Sequence, residues 1–222
     1  DECAFTVCPF ECGGGQFQHT AIFLLRENFF TVMFLWRPVF LLKENNKRVK
    51  RMNSVLATAI GVGIMGGLAT FMFLSIETLL LWAAFVAWAC YFALGGDRPA
   101  ITLNLTSNAF GVAVAWIVAL LALAKPFPTL PAPVWVGLLV ALSVFLYIMA
   151  SRIYIFSSVP AATLGYATTF AYISQTPGAF AYPALLSAGF QNVLIVVIVS
   201  MSIGTGFAVA SAKLSAALTA KA

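Results

Sequence analysis

The chain has 222 residues, 62% hydrophobic and 9% charged, against about 25% charged in soluble domains. It carries more apolar side chain than a soluble core can bury, so a soluble globular fold is excluded. A net charge of +5 would point to nucleic acid in a soluble chain. Here the basic residues stand beside apolar spans, where membrane topology accounts for them, and nucleic-acid binding is set aside.

Residues 1–51 differ from the rest: they hold seven of the 12 Lys/Arg and five of the 7 Asp/Glu. Their apolar stretch, 21–42, is interrupted by Arg26, Glu27, Arg37 and Pro38, which makes a poor spanning helix. It reads as an interfacial amphipathic helix, and the lack of a compact apolar core with a small-residue cleavage site argues against a secretory signal. A second reading is a non-native translated leader, because Met52 opens a typical membrane-protein start and residues 43–48 would be encoded by purine-rich codons. Cys3, Cys8, Cys12 and His19 number enough for a zinc site, but their spacing matches no common knuckle. No metal or other cofactor is expected.

From residue 52 onward, uncharged runs set the architecture. They cover 52–76, 78–96, 99–124, 126–151 and 153–212, and a membrane helix needs about 20 residues. The first four runs predict one helix each, at 54–75, 78–94, 101–124 and 133–150. The fifth breaks at the turn signal Gln175-Thr176-Pro177-Gly178, giving helices near 157–174 and 183–211. The expected fold is an all-α polytopic membrane bundle of about six transmembrane helices over residues 52–222. An offset of 54 places Arg98 on Arg152, Gly111 on Gly165 and Ala113 on Ala167, the mark of a parallel two-helix repeat.

Cytoplasmic flanks are enriched in Lys and Arg. Six crossings with both termini inside put Lys43, Lys47, Arg48, Lys50, Arg51, Arg98, Arg152, Lys213 and Lys221 in the cytoplasm and only Lys125 outside. Five crossings, with the fifth segment re-entrant, would distribute the same charges less evenly to one side.

Gly61-Val62-Gly63-Ile64-Met65-Gly66 spells a dinucleotide-binding pattern, which requires a preceding strand. Inside an apolar run, Gly63 and Gly67 read instead as a helix-packing pair whose missing side chains admit a second helix. Hydrolytic chemistry lacks a base, since the one histidine is His19 and a Ser or Cys nucleophile needs a neighbouring base; the protein is not expected to be an enzyme. With no ionisable side chain inside the predicted spans, coupling to a proton or cation is disfavoured.

Two polar clusters remain, each following an arginine. The first is Thr102, Asn104, Thr106, Ser107 and Asn108, with the two asparagines four residues apart on one helical face. The second is Ser157, Ser158 and Pro160, with Thr163, Thr168 and Thr169. As lining, Asn104, Thr106, Asn108, Pro160, Thr163 and Thr168 would border the path of a small neutral solute. As packing, the same groups cap helices or bond across interfaces, each bond contributing about 0.6 kcal/mol on average.

Trp82-Ala83-Ala84-Phe85 through Ala89-Cys90-Tyr91-Phe92-Ala93, then Gly95-Gly96, Ser107, the stretch from Gly111 to Trp116, and the segment from Val159 to Ala171 together resemble the YcdZ-like family of uncharacterised bacterial inner-membrane proteins. The resemblance runs from about Met52 to Ala212 and implies a multi-pass inner-membrane protein with no assigned activity or catalytic residues. Two functions are carried forward: a channel or facilitator for a small neutral solute, and a non-catalytic membrane subunit or scaffold packing in a larger complex. The expected partners are the lipid bilayer and either further copies, as a homo-oligomer, or other membrane subunits.

Overall fold

The computed structural model describes residues 48–125 and 130–220, with side chains for 54–125 and 130–219. The readings of the interfacial helix at 21–42, of the leader up to residue 47, and of Cys3, Cys8, Cys12 and His19 lie outside the described residues. Among the described residues the secondary structure is helical throughout. The helices are α1 (Arg48–Ser75), α2 (Leu81–Ala93), α3 (Arg98–Ala124), α4 (Ala132–Ala150), a 3-10 turn (Tyr154–Phe156), α5 (Val159–Gln175), the one-turn α6 (Tyr182–Leu185) and α7 (Val193–Ala220).

Local chemistry sets the breaks. After α2, Gly95 and Gly96 take φ of 111° and 68°, a region that a Cβ disfavours, and the Tyr91 hydroxyl donates to the Gly96 carbonyl at 2.6 Å. Asp97 then caps α3, accepting from the Ala100 N–H at 2.9 Å, with Pro99 in the first turn, where its missing N–H is no loss. Ser158 starts α5 in the same way, accepting from the Ala161 N–H at 3.2 Å ahead of Pro160 in the first turn.

The last helix corrects the sequence expectation of a start at Pro183. That proline opens only the one-turn α6, and α7 begins ten residues later, at Val193. There Asn192 accepts from the Leu194 N–H and donates to the Ser187 carbonyl, both at 3.0 Å, so its side chain holds the non-helical turn that precedes the helix. At its other end α7 continues through Lys213 to Ala220, since an exposed lysine does not interrupt helical backbone.

Side-chain contacts give the helix directions. Ser200 accepts from the Leu80 N–H at 3.0 Å and Gly204 lies against the Ala84 backbone, so α7 and α2 are parallel. Trp135 donates to the Leu121 carbonyl near the end of α3, so α4 returns along it. Ser143 bonds Tyr166 at 2.9 Å and Tyr147 bonds Thr163 at 3.2 Å, which sets α5 antiparallel to α4 and therefore parallel to α3. Gly61 lies against Ser211 and Ser215, while Ala69 is buried with Ala208, so α1 is antiparallel to α7. Thus α1, α3 and α5 run one way and α2, α4 and α7 the other.

Small residues let these helices approach. A Cβ on Gly111 would overlap the carbonyl oxygen of Ala162, and one on Gly165 would overlap that of Asn108. The two contacts are reciprocal, because the offset of 54 carries Gly111 onto Gly165 and Asn108 onto Ala162. On α7, Ser200, Ala208 and Ser211 are fully buried and, with Gly204 and Ser215, form one small-residue stripe against α1 and α2. Among the described residues, Gly63 and Gly67 meet no other helix, for a Cβ at either has nothing within 4 Å; α1 packs there through Gly61 instead. The dinucleotide-like pattern lies wholly inside α1.

Four helices, over Ser54–Ser75, Arg98–Ala124, Ala132–Ala150 and Val193–Thr219, are long and apolar enough to cross a bilayer, which supports an integral membrane protein. In the most apolar stretch of α3 and α7, 44% of residues are buried, against 17% in α1 and α4; the first pair is central and the second faces outward. α2, with 13 residues, reaches about 20 Å at ~1.5 Å per residue. Alone it falls short of the roughly 30 Å hydrocarbon core.

Overpacking costs about 1–3 kcal/mol, so Gly111→Ala and Gly165→Ala should each destabilise the fold by that order. Gly63→Ala should leave monomer stability unchanged within about 0.5 kcal/mol or raise it slightly. Titration of helicity against a denaturing detergent measures all three.

Candidate functional site

α3 presents Asn104 and Asn108 one turn apart, 0% and 3% exposed. In hydrocarbon an amide needs partners, and Asn104 finds them on two other helices. Its Nδ2 donates to the Ala87 carbonyl of α2 and to Thr205 Oγ1 of α7, both at 2.9 Å. Asn108 Nδ2 donates to the main-chain oxygen and to Oδ1 of Asn104, both at 2.7 Å. Thr205 passes the chain on, donating to the Met201 carbonyl at 2.9 Å. Three helices are thereby joined by neutral hydrogen bonds.

One side chain of the cluster is incompletely paired. Among the described residues Asn108 Oδ1 has no hydrogen-bond partner, with the Cys90 thiol standing against the same amide; a buried acceptor left unpaired costs about 1–3 kcal/mol. Between α3 and α7 is a cavity of about 10 Å³ bordered by Asn104, Asn108, Ser202 and Thr205, its surface almost wholly apolar, with Val112, Ile198 and Met201 among the walls. This is the lower limit of the room that one water occupies. Asn108 stands ten residues beyond Arg98, about 15 Å along the helix, or half the depth of a hydrocarbon core of roughly 30 Å.

The residues singled out as a solute path do not converge on this cavity as a set. Asn104 and Asn108 line it. Thr106 is half-buried and donates to the carbonyls of Thr102 and Ile155. Pro160 is exposed in the first turn of α5. Thr163, also exposed, donates to the Val159 carbonyl and bonds Tyr147. Thr168 is 2% exposed within α5. Just before α7, Gln191 is exposed and Asn192 is buried, its side chain bonded at the helix start.

Sequence reasoning missed Ser202 and Thr205. The signal was present in the repeated small and hydroxyl residues Ser200, Gly204, Ala208, Ser211 and Ser215, spaced by three or four. That spacing defines one packed face of α7, with Thr205 at its edge.

No carboxylate, lysine or arginine lines the cavity, and among the described residues no three His, Cys, Asp or Glu side chains gather as metal ligands. The thiol of Cys90, buried in α2, neighbours Asn108.

Fold and cluster together define an integral membrane protein, helical throughout its described residues, whose central helices are joined by amide and hydroxyl bonds. A family model described as a protein of unknown function, DUF1097, matches residues 59–216, from α1 to α7, and the chain belongs to that family. No curated protein and no solved structure matches the chain.

Interhelical hydrogen bonds in membranes are worth about 0.6 kcal/mol on average and at most about 1.7. Asn104→Ala, which removes two of them, should therefore lower stability by about 1–2 kcal/mol. A double-mutant cycle with Thr205→Val should return a coupling near 0.6 kcal/mol, read from detergent unfolding curves.

Proposed function

We propose that this protein is a facilitator for a small neutral solute in the bacterial inner membrane, of the YcdZ-like type, and not an enzyme. The observation that carries the reading is the Asn104–Asn108–Thr205 cluster: a neutral polar centre at mid-depth, where transporters place their substrate sites. Groups without charge replace a neutral solute's hydration at little electrostatic cost. In this reading Asn104 and Asn108 form the constriction, with Thr106 at the same depth on α3 and Thr168 along α5, while Pro160 and Thr163, in the early turns of α5, border the cytoplasmic mouth.

Six crossings are supported by the alternation of α1, α2, α3, α4, α5 and α7, with α2 completed by the turns at its ends. The same alternation gathers Arg98 before α3, Arg152 before α5 and Lys213 near the end of α7 at one end of the bundle, with Lys125 at the other. That bias favours a cytoplasmic position for both termini. The parallel repeat is supported by the reciprocal Gly111 and Gly165 contacts.

A second reading, a subunit that packs against further copies or other membrane proteins, is favoured by Gly63 and Gly67. A Cβ at either meets nothing within 4 Å among the described residues, which leaves room for a partner helix to approach closely.

Proteoliposomes should show flux of water, ammonia, urea or glycerol above protein-free vesicles, and Asn108→Leu should reduce it at least tenfold. Absence of flux for all four, together with a defined oligomer broken by Gly63→Leu and Gly67→Leu, would favour the subunit. A reporter fused after Ala222 should be active in the cytoplasm; periplasmic activity would mean five crossings.

A further inference from the structure

We propose that the lipid-facing belt of this protein runs obliquely to its helices, so that the bundle sits in the bilayer tilted by about 40°, with Arg98, Arg152 and Lys213 in one plane of lipid headgroups. Contact registers between helices carry the tilt, which holds whether or not a solute crosses the protein. Heights are counted along α3 from Asn104, which bonds Thr205 of α7. Arg98 lies six residues before Asn104, and Lys213 lies eight residues past Thr205. Since α7 runs opposite to α3, both stand about 10 Å from Asn104 toward the end where α3 starts.

On one flank, α1 is shifted toward that end. Gly61 meets Ser211 and Ser215, at the level of Lys213, so Val55, Leu56 and Ile60, all exposed among the described residues, continue up to about 9 Å beyond it. On the other flank the shift is opposite. Thr106 donates to the Ile155 carbonyl, and Phe156 stacks on Phe110. The turn that carries the exposed Arg152 and Tyr154 is therefore about 12–18 Å above the level of Arg98. The far ends repeat the offset. Glu77, also exposed, is in the turn between α1 and α2, where the Leu80 N–H donates to Ser200, five residues before Thr205, only about 8 Å above Asn104. By contrast, α4 begins beside Leu121, about 25 Å above Asn104.

Both boundaries thus slope the same way, by roughly 20 Å from the α1 flank to the α4 flank. α1 packs on α7, α7 on α3 and α3 on α4, three steps of about 9 Å each, which makes the slope close to 40°. A bilayer set square to the helices would leave Val55, Leu56 and Ile60 in water or place Arg152 and Glu77 in hydrocarbon, and either is disfavoured. The length of α3 agrees independently: its 27 residues measure about 40 Å, and a 40° tilt foreshortens them to about 31 Å, the thickness of a hydrocarbon core. The partner that fits this surface is the bilayer itself, met by apolar side chains along an oblique band and by cations along its edge.

The test measures depth on the full chain in nanodiscs of phosphatidylethanolamine and phosphatidylglycerol. With the four native cysteines replaced, a nitroxide is attached at Ile60→Cys or at Tyr154→Cys, both on exposed positions. Oxygen relaxes a label in hydrocarbon, and a water-soluble nickel chelate relaxes one at the surface. The oblique seating predicts that oxygen is favoured over the chelate about threefold or more at Ile60→Cys, with the preference reversed at Tyr154→Cys. A label at Ile60→Cys in water, or one at Tyr154→Cys in hydrocarbon, overturns the proposal. Polarised infrared spectroscopy of the wild type in oriented bilayers needs no substitution. Its amide dichroism should give a mean helix tilt near 40°, and a mean at or below about 20°, the ordinary tilt of membrane helices, overturns the proposal as well.

Discussion

Among the described residues, α3 and α5 cross at backbone contact because neither Gly111 nor Gly165 has a side chain. Each leaves room for the other helix's carbonyl oxygen, at Ala162 and at Asn108. In lipid there is little hydrophobic drive between helices, so association depends on close van der Waals packing and hydrogen bonds. A crossing at backbone distance supplies the first. It also gives α3 its rotation: with Gly111 and Asn108 backbone against α5, the amides of Asn104 and Asn108 are carried to the side where α2 and α7 stand.

From that rotation the rest follows. Asn104 reaches Ala87 and Thr205, which links the α3–α5 pair to α2 and α7, and the small residues of α7 in turn seat Ala84 and α1. Buried serines and threonines elsewhere mostly return a hydrogen bond to their own helix, as Thr169 does to Gly165 and Ser215 to Ser211. The asparagines have longer polar reach and more groups to satisfy. Their bonds run between helices, and their one surplus acceptor is left beside a cavity.

Much of the bundle was legible in the sequence because charge and turn chemistry punctuate it. The loop Gly95-Gly96-Asp97-Arg98-Pro99 combines two glycines at positive φ, a cap and a first-turn proline, and the helices on either side fell close to their expected bounds. The same cues misled at Pro183, where a proline signals a helix start without saying how long the helix lasts. Sharing of a face by Asn104 and Asn108 follows from helical periodicity. Their partners do not, because Thr205 lies about a hundred residues away, in a run where hydrophobicity alone gives no rotation. Gly63 and Gly67 show the converse: the pattern is a packing motif, but only three-dimensional structure shows that, among the described residues, Gly61 is the glycine that another helix meets.

The central claim is that α3 and α5 run parallel and cross at the paired glycines. Phe110 and Phe156 report on this directly, since Phe110, in the first half of α3, and Phe156, in the 3-10 turn just before α5, stack with ring centroids 4.4 Å apart. With the four native cysteines replaced, Phe110→Cys and Phe156→Cys should be joined efficiently by a short bifunctional thiol reagent in intact membranes. Failure of that pair, with Phe110→Cys joined instead to Tyr172→Cys near the far end of α5, would contradict the parallel crossing and the account built on it.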